Sequence, residues 1–234
     1  MRPLVDALAL LLERTYDTGV SLVPVGRFVV GDEGYRRLVA GRRVRQKVAH
    51  TGAGARLLLR PLGDAGPWAA ALYLPDGLVE HLEREDPRRV LHAGNVDAFA
   101  TLVEEVDHLV TFADRAIHGG PEVTLLELEW HAGVSKYLVL AHFLGRLAGG
   151  RPLAPGERRF LLWHLFHKGD WAEPDPEVRA RYEDATRLAL RFVEDLGGRP
   201  PAERIRRLLR ARIPVSAMLV TSERLKLRLD RLEG

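Results

Sequence analysis

Cysteine is absent from this chain of 234 residues. That gap removes disulfides, thiolate zinc sites and cysteine nucleophiles together, so any metal must be held by His, Asp and Glu. Lysine is scarce: Lys47, Lys136, Lys168 and Lys226 are the only four among 35 basic residues. An Ala/Leu/Arg-rich composition is enough to produce that skew without selection for binding. Long apolar runs are missing too. None reaches the ~18 to 20 residues a membrane helix needs, and Asp6 and Glu13 interrupt the first apolar stretch, which is not a signal-peptide layout. A cytoplasmic protein without a membrane span is the expectation. A large charge of one sign is also lacking: 35 basic against 32 acidic residues leave +3, too little for a whole-chain argument about nucleic acid.

What is present is apolar content sufficient for one compact domain, at 46% hydrophobic residues. Leu4, Val5, Leu8, Leu11 and Leu12 have helical spacing and predict a first helix over 4–16, with Gly19 as a stop. Short β-rich runs follow at 20–23, 27–30, 55–59 and 68–74, separated by Gly and Pro, with a short helix at 33–40 between them. Asp64-Ala65-Gly66-Pro67 is turn chemistry and makes the last two runs an antiparallel hairpin. A short helix then ends before Pro87. Helical periodicity fills the remainder, over 95–118, 122–148, 156–168, 175–196, 201–212 and 215–232. The expected class is α+β: one domain, with a helix and small mixed sheet in a lobe over 1–94 and a helical lobe over 95–234.

Glu104-Glu105-Val106-Asp107-His108 lies in the first long helix of that second half. Phe99, Leu102, Val103, Val106, Leu109, Val110 and Ala113 form its core stripe, and Glu104 and His108 fall together on another side. By itself this describes an amphipathic helix with a solvated polar face. The next helix is apolar nearly all round and therefore mostly buried, yet it carries Glu127 and His131 one turn apart. Buried, each needs a partner, because an uncompensated polar or charged group costs several kcal/mol. They could satisfy each other, Glu127 could meet an arginine, or Glu127 could join Glu104 and His108 around a cation.

The arrangement resembles the gluzincin branch of zinc metallopeptidases, in which H-E-x-x-H is followed by a glutamate ligand on a later helix. The resemblance spans roughly residues 55–131, with 68–74 as a candidate edge strand for substrate. It implies Glu104, His108 and Glu127 as ligands of a divalent metal, zinc favoured. Glu105 would be the general base, and His131 a supporting group or transition-state donor. A peptide or protein substrate and hydrolysis of a peptide or amide bond follow from the same resemblance. Glu104 stands where the family has histidine, and a Glu/His/Glu set is harder and more negative than His/His/Glu, which weakens zinc preference. The outcomes are an enzyme with an unusual ligand set, or a zincin-like fold without peptidase activity.

Other signals are weaker. Glu105 and His108 have the E-x-x-H spacing of ferritin-like di-iron bundles, but no second such pair occurs. His164 and His167, with Asp170 and Glu173 nearby, form a minor metal candidate. His142 lies too far along its helix to share an ion with His131. The basic run at 42–47 and the ten basic against four acidic residues of 199–234 contain no aromatic side chain to stack bases. A nucleic-acid binder therefore ranks below the two main readings, a metal-dependent hydrolase and a noncatalytic scaffold or regulatory protein. Oligomeric state is not encoded in any of these patterns.

Overall fold

A computed structural model describes residues 2–40, 46–47, 54–62, 68–118, 123–169 and 175–196, without the side chains of Arg2, Gln46 and Lys47. The basic run at 42–45, the turn at 64–67, Asp170, Glu173 and the two helices expected beyond 200 lie outside these residues. Helix α1 (Arg2–Tyr16) leads through a 3-10 turn into strand β1 (Val29–Val30), helix α2 (Asp32–Ala40) and strands β2 (Gln46–Lys47), β3 (Arg56–Pro61) and β4 (Trp68–Tyr73). Four helices follow α3 (Asp76–Arg84): α4 (Val96–His118), α5 (Leu125–Leu147), α6 (Pro155–Phe166) and α7 (Pro176–Leu196). The class is α+β, with a small mixed sheet and a helical second half.

Strand order is β1-β4-β3-β2. The expected hairpin forms, with β3 and β4 antiparallel from Arg56 opposite Tyr73 to Pro61 opposite Trp68. Two expectations change. The run at 20–23 is not a strand: the Val20 amide donates to Thr18 Oγ1 at 3.3 Å and the Leu22 amide to Glu13 Oε1 of α1 at 2.7 Å, while Val25 just beyond donates to Asp6 Oδ1 at 2.6 Å. Strand β4 is not a bare edge, since β1 pairs in parallel with its Leu72 and Tyr73.

The elements are layered sheet, α4, α5, α7, with α1 against α4 and α6 against α5. Helix α4 begins at a loop pinned by Asn95, a fully buried side chain whose amide donates to the Glu85 and Val90 carbonyls and whose oxygen accepts from the His92 amide. Phe99, Leu102, Val103 and Val106 are completely buried, each contributing about 1.5–3 kcal/mol by leaving water. Helices α4 and α5 pack antiparallel, with Arg115 on Glu127 at one end and Glu104 on Lys136 further along. Thr124 caps α5, its hydroxyl accepting from the Glu127 amide at 3.1 Å.

The α5–α7 contact depends on Gly133. A Cβ built there would stand 2.9 Å from the Ala189 Cβ, closer than two carbons pack, so glycine lets the two helices approach. Among the described residues no helix is long and apolar enough to cross a membrane. Gly133→Val is expected to lower unfolding stability by about 1–3 kcal/mol through overpacking, checked by the urea midpoint of the variant against that of the parent chain.

Candidate metal centre

Helix α4 has no solvated polar face along its middle. Glu105, Asp107 and His108 are all 0% exposed, and Glu104 is largely covered. The sheet takes one side and α5 the other, so residues that periodicity assigns to water are interior. Ionisable groups there require partners, and α5 supplies them in two separate stripes.

The first stripe is hydrogen-bonded. Asp107 accepts from Ser135 Oγ at 2.5 Å and pairs with His131 Nδ1 at 2.9 Å, and Thr111 Oγ1 lies 3.1 Å from the same nitrogen. Tyr16 reaches in from α1 to hydrogen-bond Ser135, and its ring lies 4.3 Å from the His131 ring, centroid to centroid. Burial, with the Asp107 charge in second place, pushes the Tyr16 hydroxyl pKa well above its usual 10.0. For His131 burial works downward, but the Asp107 carboxylate outweighs it and the imidazole pKa is raised.

The second stripe is the candidate centre. Glu104 and His108, one turn apart on α4, meet Glu129 of α5, and one ligand atom from each lies within 4.8 Å of the others. This is an interior group that could hold a metal ion. Lys136, seven residues beyond Glu129 on the same side of α5, donates to Glu104 Oε2 at 2.5 Å. Burial pushes the Lys136 ammonium down, yet the neighbouring glutamates, Glu104 foremost, raise its pKa overall. On Glu129 burial and the Glu104 charge raise the pKa well above 4.5, against the opposing pull of Arg181 from α7 and of Lys136. Arg181 is itself buried, and its Nε has no hydrogen-bond partner.

Glu105 adjoins this group. Neither carboxylate oxygen makes a hydrogen bond; the Leu57 backbone of β3 lies close enough only to soften the effect. Burial first, then the charges of Glu104 and Glu129, pushes its pKa well above 4.5. A fully buried carboxyl with only the Leu57 backbone and the Arg56 charge acting in its favour, beside two more carboxyls, is the sort of group that a cation or a bound water would satisfy.

Glu127 is not part of the group, and Glu129 stands in the position expected of it. Glu127 occupies the first turn of α5, where the helix dipole favours a carboxylate, and pairs with Arg115 at 2.6 Å near the end of α4. Two residues further the helix has turned by about 200°, which carries Glu129 to the side of Glu104 and His108. His131 is likewise on the other stripe, engaged with Asp107. No spacing signal pointed to Glu129: with 115 facing 127 and 111 facing 131, residues 104 and 108 face the stretch around 132 to 136, and Glu129 joins the group from the part of α5 before it. His164 pairs with Asp97 at 2.7 Å, joined by Lys168 at 3.0 Å, an ion-pair cluster at the start of α4.

No family model, no curated protein and no solved structure matches the chain. The resemblance to zincins therefore rests on motif spacing, and what the fold supports is the three-residue group of Glu104, His108 and Glu129.

Two outcomes test this electrostatic picture. Asp107→Ala strands His131 and Ser135, and a loss of about 3–5 kcal/mol is expected in denaturant unfolding. Glu105 holds its proton in the folded chain at pH values where the unfolded chain, near 4.5, has released it. The folded state then binds more protons, so stability falls as pH rises from about 4.5 toward the raised value. In Glu105→Gln, with chelator present, unfolding midpoints from pH 4.5 to 8 should decline less steeply than in the parent chain.

Proposed function

We propose that the protein binds one divalent cation at Glu104, His108 and Glu129, and that the centre serves hydrolysis of a peptide or amide bond. The observation that carries the reading is convergence: three donors from two helices within 4.8 Å of one another, in the interior, with the unsatisfied carboxyl of Glu105 alongside. Three protein donors leave a coordination position for water or substrate, as catalytic zinc sites require. Zinc is the first ion to test, and two carboxylates to one imidazole also suit manganese. A bound ion would polarise a carbonyl oxygen and make a bound water more acidic.

Within that reading a bound cation would favour the ionised form of Glu105, which would then accept the proton of the attacking water, since it follows Glu104 as the base follows the first ligand in H-E-x-x-H. His131 commits Nδ1 to Asp107 and has only its other ring nitrogen for any contact with substrate. The Asp107 pair holds the ring orientation, so His131 is a supporting residue of the α4–α5 contact before it is a donor.

A noncatalytic reading has its own observation. Lys136 already neutralises Glu104, and Arg181 acts on Glu129, so the group has cations built in. On that reading the cluster is structural and the protein a scaffold or regulatory partner. Metal content separates the two. Protein purified without added metal, then loaded with zinc or manganese, is expected to hold about one ion per chain and to unfold at higher temperature. Ligand at 100 times its Kd adds about 2.7 kcal/mol of stability. Glu104→Ala/His108→Ala should lose both the ion and the shift. Absence of binding in the parent chain would overturn the metal reading, and binding without cleavage of any peptide or amide substrate would favour the noncatalytic one.

A further inference from the structure

We infer that Lys136 is an exchangeable counter-cation of the Glu104–His108–Glu129 group, so that an incoming metal displaces its ammonium from Glu104 and Lys136 sets the affinity of the site. The inference rests on the metal reading above and adds to it the residue that regulates occupancy.

The first observation is position. Lys136 Nζ lies 2.5 Å from Glu104 Oε2, so a metal sharing that carboxylate must compete with it. The second is the choice of residue. Four of 35 basic residues in this chain are lysine, and one of them stands at this point. Arginine would hold Glu104 with a rigid fork, the preferred arrangement for a permanent interior ion pair. An ammonium on a flexible four-carbon stem is a single point charge that can swing away without rearranging a planar contact.

The third observation is the contrast with Arg181. That guanidinium is buried and acts on Glu129 from α7, a fixed positive charge beneath the site. Lys136 retains about a quarter of its side-chain exposure, whereas Arg181 is buried, so part of the lysine stem borders solvent even though its ammonium is held inside on Glu104. Exchange would put two positive charges where one had been, next to Glu104, Glu105 and Glu129. Without metal, Lys136 compensates the Glu104 charge; with metal, that duty passes to the ion.

The test uses the intact protein and zinc or manganese ions alone. An amine-reactive reagent is applied with metal and with chelator, and labelling is read at each lysine by peptide mass spectrometry. Lys168, paired with Asp97 away from the site, is the internal reference. Lys136 labelling is expected to rise several-fold with metal while Lys168 stays constant. In parallel, calorimetry should show Lys136→Met binding the same ion at least tenfold more tightly than the parent chain. If the parent chain binds metal but Lys136 labelling does not change, or if Lys136→Met binds no more tightly, the exchange inference is overturned and the metal site stands. If neither protein binds either ion, the metal reading itself fails, and this inference with it. Should Lys136→Met not fold, the labelling of the parent chain decides alone.

Discussion

Packing α4 between the sheet and α5 takes Glu104, Glu105, Asp107 and His108 out of water together, and the other contacts of the helical half must compensate for that step. An unpaired interior charge costs several kcal/mol, comparable with the whole net stability of a domain. The compensation is divided. Tyr16, Thr111, His131 and Ser135 surround Asp107, while Lys136 and Arg181 oppose the glutamates. Helices α1 and α7 thus contribute charge balance and hydrogen bonds to the α4–α5 contact as well as apolar cover.

The two stripes differ in how completely they are closed. Around Asp107 hydrogen bonds from hydroxyl and imidazole groups converge on one carboxylate, an arrangement that orients residues and resists change. Around Glu104 and Glu129 three carboxyl groups crowd together, and Glu105 is held only by the weak influence of the Leu57 backbone and the Arg56 charge. An excess of interior negative charge of this kind is tolerated in three ways: by holding protons, by recruiting a lysine, or by binding a metal. The raised pKa values of Glu105 and Glu129 and the Lys136 contact represent the first two. The proposed function adds the third.

Periodicity located the helices because it depends only on local geometry. Apolar residues three and four apart placed α1 and α4 to α7 within a few residues of their observed bounds. The same rule misjudged Glu104 and His108, since a helix wheel separates polar from apolar residues but cannot tell a solvated side from one covered by another helix. The motif resemblance assigned Glu127 as the third ligand and passed over Glu129. Both lie on a buried helix, and the choice depends on how α5 is rotated and slid against α4.

Composition and local spacing thus determined, from the sequence alone, that any metal would be held without thiolates, that Glu104 and His108 share a helical side, and that a small sheet precedes a helical half. Tertiary structure decided that Glu129 completes the group, that Glu127 belongs to Arg115, and that Lys136 stands on Glu104. The division has one physical cause. Positions within a helix repeat with a fixed angle per residue, whereas the register between antiparallel helices is set by the sum of side-chain contacts along both. Here that sum includes the Arg115–Glu127, Asp107–His131 and Glu104–Lys136 pairs, which no motif contains.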